Sequence, residues 1–103
     1  MSLAKKNNIE DYLSQNKEWK YQNNCISRNF SFNTYMDSIN FVVSLAEIAE
    51  QQNHHPDLSI GWCSVTVQFT SHDQGGVTEQ CLIMSRLTDC LLYTSPSPRD
   101  LRK

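Results

Sequence analysis

The stretch Glu50-Gln51-Gln52-Asn53-His54-His55-Pro56 decides the fold, because a long helix must stop there and an extended segment must begin. Pro56 disfavours helical geometry at His55 and marks the helix end. The apolar run before it, Tyr35 to Ala49, reads as that helix. Adjacent histidines therefore hang from its last turn, where the partial negative charge of exposed carbonyls favours their protonated forms. Glu50 stands four residues before His54, on the same helical face, placed to orient that imidazole and favour its proton. The remaining histidine lies in Ser71-His72-Asp73, so all three histidines of the chain sit in these two places. Groups that exchange protons near neutrality suit acid–base chemistry.

On the N-terminal side of this stretch, Tyr35, Ile39, Val42, Ala46 and Ala49 recur at helical spacing, with Met36, Val43 and Leu45 widening the stripe. Core packing explains such a stripe, and so long an apolar helix should lie across a sheet. Asn33 or Ser31 is placed to cap it. Further upstream, Ile26 to Phe32 alternates, with Ile26, Arg28, Phe30 and Phe32 on one side and Ser27, Asn29 and Ser31 on the other. Arg28 reads as a solvated side chain in that strand, with an anion contact as the alternative. Trp19-Lys20-Tyr21 is a short strand before a polar turn at Gln22-Asn23-Asn24. Leu3 to Gln15 is a weakly amphipathic helix with Ile9, Tyr12 and Leu13 on one face.

On the C-terminal side, Asp57-Leu58-Ser59-Ile60-Gly61 continues extended. Trp62 to Thr70 then alternates, with Cys63, Val65, Val67 and Phe69 on a face that should meet the Tyr35–Ala49 helix. Gln74-Gly75-Gly76 asks for a tight glycine turn. Thr78 is placed to cap a last helix from Glu79 onward that carries Leu82, Ile83, Met84 and Leu87. From Cys90 the helical pattern breaks. Cys90-Leu91-Leu92-Tyr93-Thr94-Ser95-Pro96-Ser97-Pro98-Arg99-Asp100 resembles the translation of a sequencing adapter, or else a Ser/Pro-rich disordered tail. The expected organisation is thus a single domain over residues 1–89 and a non-native or disordered tail over 90–103.

At 103 residues and 39% hydrophobic content the chain supports one small core, and small cores often gain from oligomerisation. Nine basic against eleven acidic residues, without a basic stripe, disfavour nucleic-acid binding. No signal core and no transmembrane-length run is present, which points to a cytoplasmic protein off the membrane. Cys25, Cys63, Cys81 and Cys90 lack CxxC spacing and read as reduced thiols.

The residues leave several chemistries open. His54, His55 and His72 with Cys63 or Asp73 would make a zinc set, although adjacent histidines at a helix end rarely point at one ion. Cys63 paired with a histidine would be a nucleophile, but its alternation puts it on the buried face. Purely structural histidines are the plain alternative.

The full pattern is more specific: Glu50, His54-His55-Pro56, Trp62, His72-Asp73, then Gly75-Gly76-Val77-Thr78. Trp19, Phe30-Ser31-Phe32 and Ala46-Glu47-Ile48-Ala49-Glu50 agree upstream. Over roughly Trp19 to Asp89 this resembles the pterin-4a-carbinolamine dehydratase family. The resemblance implies an α+β fold, a four-stranded antiparallel sheet with helices packed on one face. It also implies homodimers that join their sheets, often paired into homotetramers through helices. The implied activity is that of 4a-hydroxytetrahydrobiopterin dehydratase, a hydro-lyase that forms quinonoid dihydropterin in tetrahydrobiopterin recycling with no metal or other cofactor. His54, His55 and His72 would be catalytic. His54 and His72 would handle protons, and His55 would position the pterin. Glu50 would support His54, Asp73 would hold a pterin or histidine nitrogen, and Trp62 would wall the ring or simply pack. A departure stands at Cys81, where the family usually has an acidic residue in the first turn of the last helix. The alternative that the resemblance carries is a dimerisation partner for a homeodomain transcription factor, working through a helical surface without need of catalysis.

Overall fold

The computed structural model describes residues 3–94, with side chains as far as Leu92. The elements run α1 (Lys6–Gln15), β1 (Lys20–Gln22), β2 (Cys25–Ser31), α2 (Tyr35–Gln52), β3 (Asp57–Gly61), β4 (Ser64–Phe69) and α3 (Glu79–Thr94). The strands form an antiparallel sheet of order β1-β2-β4-β3, so the fold is α+β as the sequence implies. Along β4, Val65, Val67 and Phe69 are buried while Ser64, Thr66 and Gln68 are half-covered. That alternation gives the sheet an apolar face, and the helices supply the other half of the core: Ile9 and Tyr12 from α1, Phe41, Leu45 and Ala49 from α2, and Cys81, Leu82 and Met84 from α3.

The seam of α2 lies elsewhere than the apolar count suggests. Ser38, Phe41, Leu45 and Ala49 face inward, whereas Tyr35, Met36 and Val43 are exposed. Ser38 is tolerated inside because its hydroxyl donates to the Tyr35 carbonyl at 2.6 Å. Thr34, rather than Asn33 or Ser31, caps the helix, accepting the Asp37 N–H at 3.0 Å. Arg28 is not solvated. Its guanidinium pairs with Asp89 at 2.9 Å and lies 4.5 Å over the Phe30 ring.

The β3–β4 hairpin closes at the pair Gly61↔Ser64, leaving Trp62 and Cys63 as a two-residue turn and not as strand. Cys63 takes a positive φ of 62°, which removes it from the alternation of β4. The last helix does not break at Cys90. It continues to Thr94, and Leu91, four residues after Leu87, packs with Leu92 against the core. Of the expected tail, residues 95–103 lie outside the described residues. Among the described residues no helix is long and apolar enough to cross a membrane.

Candidate active site

The histidines owe their positions to the way α2 ends. Asn53 adopts the left-handed conformation (φ 53°, ψ 43°), and the His54 N–H closes back on the Ala49 carbonyl at 3.1 Å. An asparagine tolerates that conformation better than most residues, and it reverses the chain in one step. The helical i,i+4 relation between Glu50 and His54 therefore ends before His54 is reached. His54 turns inward, its ring stacked on Phe69 at 6.1 Å between centroids and 18° between planes. Its Nε2 lies 3.2 Å from Cys81 Sγ. His55 turns outward, and it is His55, not His54, that Glu50 holds, Nε2 to Oε2 at 2.6 Å.

His72 arrives from the far side of β4. The turn after that strand is closed by the Ser71↔Gly76 bridge and by Gly75 at φ 77°, the glycine geometry the sequence asks for. The register Asp57↔Gln68 sets the start of β3 beside the end of β4. His72 Nε2 accordingly stands 3.6 Å from Asp57 Oδ2. Thr78 caps α3, with the Cys81 N–H 3.4 Å from its hydroxyl oxygen and that oxygen 3.4 Å from Cys81 Sγ. The end of α2, the end of β4 and the start of α3 thus meet at one end of the sheet.

The histidines differ in surroundings. His54 is partly buried, and its pKa is lowered from the ordinary value of 6.5, first by desolvation and then by the neighbouring charge of His55. The direction is opposite to the one expected from the exposed carbonyls of the helix end. His55 and His72 are open to solvent, with side chains 55% and 79% exposed, and each has a carboxylate beside it. Asp73 is exposed in the turn that follows His72. Trp62 is 80% exposed at the tip of the hairpin, the end opposite to His55 and His72. At about 3.4 Å per residue the strand separates it from Asp57 by roughly 17 Å, so within this chain it walls no cleft shared with the histidines and does not pack in the core.

Among the described residues no three His, Cys, Asp or Glu side chains gather closely enough to hold a metal ion, so the zinc set His54, His55, His72 with Cys63 or Asp73 is not assembled. Three participants escaped the sequence reading: Asp57 beside His72, Phe69 under His54, and Cys81 against His54. Only the strand register and the helix start bring them in, although the Thr78-x-x-Cys81 spacing already marked Cys81 as lying in the first turn of a helix.

Comparison with known proteins gives a consistent answer. The family model described as Pterin 4 alpha carbinolamine dehydratase matches residues 2–91. A relative from Picosynechococcus sp., assigned by name to the pterin-4-alpha-carbinolamine dehydratases, is 44% identical over 72 residues, covering 70% of this chain and 78% of the relative. One from Sulfurisphaera tokodaii, with the same name, is 36% identical over 84 residues, covering 82% of this chain and 90% of the relative. The fold is that of a crystal structure described as a transcriptional coactivator/pterin dehydratase from Brucella Melitensis, with TM-score 0.82, 24% identity, and coverage of 87% of this chain and 98% of that one. A pterin dehydratase-like protein described as a RuBisCO assembly factor in the alpha-carboxysome is also similar in fold, at TM-score 0.61 and 20% identity. With a family model spanning nearly all of the described residues, and with relatives matched along most of their own length, the chain belongs to the pterin 4 alpha carbinolamine dehydratase family.

Proposed function

We propose that this protein removes water from a 4a-hydroxytetrahydropterin to give the quinonoid dihydropterin, with His54, His55 and His72 as the catalytic residues. The observation that carries the reading is the convergence of an inward His54, held at Cys81, with two carboxylate-paired histidines at the same end of the sheet. In the reaction the C4a hydroxyl leaves as water once it receives a proton, and the N5 proton departs as the C4a–N5 double bond forms. One group must give a proton and another must take one. His54 serves the leaving hydroxyl, and His72, backed by Asp57, takes the N5 proton. His55, fixed by Glu50, positions the ring. Glu50 therefore acts on His55 in this scheme, and Asp73 remains available to a pterin nitrogen.

The test is a dehydration assay on a 4a-hydroxytetrahydropterin generated in situ. His54→Ala and His72→Ala should each lower kcat by about 10²-fold or more. Rates unchanged in both variants would remove the assignment. The exposed Tyr35, Met36 and Val43 on the outer face of α2 support a homo-oligomer formed through that helix.

A further inference from the structure

We propose that Cys81 is a positioning residue for His54: its thiol donates to Nε2, fixes the ring's proton on Nδ1, and makes Nδ1–H the group presented to the leaving hydroxyl. The inference rests on the dehydratase reading for its catalytic half only. Its geometry stands on the contact itself. Cys81 Sγ lies 3.2 Å from His54 Nε2, and both Cys81 and Thr78 are 0% exposed, so no water competes at that nitrogen from the Cys81 side. The bare nitrogen of an imidazole accepts a proton better than a thiol sulfur does, and the S–H is a donor, so the bond runs from sulfur to ring. Thr78 completes the arrangement. Its oxygen accepts the Cys81 N–H, which leaves its hydroxyl proton free to point at Sγ and turn the thiol proton outward to His54. The ring plane is held by the stack on Phe69.

This arrangement answers a difficulty in the chemistry. A histidine that is partly buried against an aromatic ring is a poor reservoir of imidazolium, yet the C4a hydroxyl needs a proton. With the thiol behind it, the ring passes one through. As the C4a–O bond breaks, the hydroxyl takes the Nδ1 proton and becomes water, while Nε2 takes the proton of Cys81. The charges balance: Cys81 is left as the thiolate, hydrogen-bonded by the new His54 Nε2–H, and the N5 proton resides on His72. Exchange with solvent then returns one proton to Cys81 through His54 and removes one from His72.

The test reads the tautomer first and the rate second. In ¹⁵N-labelled protein, long-range ¹⁵N–¹H correlations of the His54 ring should show the proton on Nδ1. In Cys81→Ala the ring should revert to the Nε2–H form that free histidine prefers. Cys81→Ser should keep the Nδ1–H form, because a hydroxyl also donates, without restoring turnover, because a hydroxyl releases its proton far less readily. In the dehydration assay Cys81→Ala should lower kcat roughly tenfold, the loss of one hydrogen bond's worth of transition-state stabilisation, with KM unchanged. Wild-type protein with its His54 proton on Nε2, or Cys81→Ala retaining Nδ1–H, overturns the proposal; the wild-type spectrum alone decides it if the variants fail to fold. An inactive wild type whose tautomer still depends on Cys81 would uphold the positioning role and count against the dehydratase reading instead.

Discussion

Replacing Asp89 by alanine should cost about 3 kcal/mol, although the residue lies outside the candidate site. Its carboxylate accepts the Trp19 indole N–H, at 2.9 and 3.1 Å to its two oxygens, and the Arg28 Nη1 at 2.9 Å. Both donors are largely covered. Trp19 is 2% exposed, and the Arg28 side chain is 17% exposed with its Nε already buried and without a hydrogen-bond partner. A buried orphaned N–H costs about 1–3 kcal/mol, and a lost bond to a charged group about 1.5–3 kcal/mol. The sum should fall toward the lower bounds, because Arg28 keeps its contact with Phe30 and because burial raises the Asp89 pKa, which means the carboxylate is itself held against a desolvation penalty. Asp89→Asn retains an acceptor for Trp19 and discards only the charge, so about half the loss is expected. For a domain of this size 1 kcal/mol corresponds to roughly 4–8 °C, so the alanine variant should melt about 12–24 °C lower. Urea and thermal unfolding of the two variants measure both values. An alanine variant within about 0.5 kcal/mol of wild type would refute the reasoning, since ordinary surface substitutions fall in that range.

Other outcomes follow from the site. Glu50→Gln should leave stability within about 0.5 kcal/mol, because the pair with His55 is exposed, while raising KM for the pterin more than it lowers kcat; a kcat loss at constant KM would contradict a ring-positioning role. The lowered pKa of His54 has a definite sign in folding: between that value and 6.5 the unfolded chain binds the proton that the folded chain refuses, so stability falls as pH drops through this window and is fully present above it. His54→Gln should flatten that part of a stability-against-pH curve, and an unchanged slope would assign it to another group. Trp62→Ala, at the far tip of the hairpin, should change neither dehydration rate nor melting temperature; a rate loss in monomeric protein would contradict the placement. A chain ended at Asp89 should lose about 2 kcal/mol, because it lacks the partly buried Leu91 and Leu92 and uncovers the core surface they pack on, and equal stability of the two lengths would show that these leucines add nothing.

The fold was largely legible in the residues because its signals are local. Alternation marks β2 and β4, Pro56 bounds α2, and Gly75-Gly76 sets the turn before α3. Misreadings arose where a side chain's role depends on something distant. An arginine on an apolar strand face looks solvated until α3 brings Asp89 beside it. The inward seam of α2 runs through Ser38 because that face meets the sheet, and apolar counting alone prefers Tyr35 and Met36. Leu91 falls in step with Leu87, so the helix carries on into a segment whose composition reads as a tail. The partners of the candidate histidines were not legible: Asp57 reaches His72 only through the strand register, and Cys81 reaches His54 only through the start of α3.

Asn53 ties these pairings to the proposed division of labour. Were α2 to continue for one more turn, Glu50 would sit below His54, and that histidine would be an ordinary solvent-exposed imidazole with a carboxylate partner. The left-handed residue cuts the helix one position earlier, sends His54 onto Phe69 and Cys81, and hands the carboxylate to His55. Adjacent residues of one type thereby enter opposite environments, one desolvated and backed by a thiol, the other wet and backed by a carboxylate. In the proposed elimination the base is His72, beside Asp57 at the end of β4, so what the Asn53 turn sets apart is the proposed acid, His54, from the proposed ring-positioning residue, His55. The backbone conformation of this single asparagine is what sends the two adjacent histidines into different surroundings.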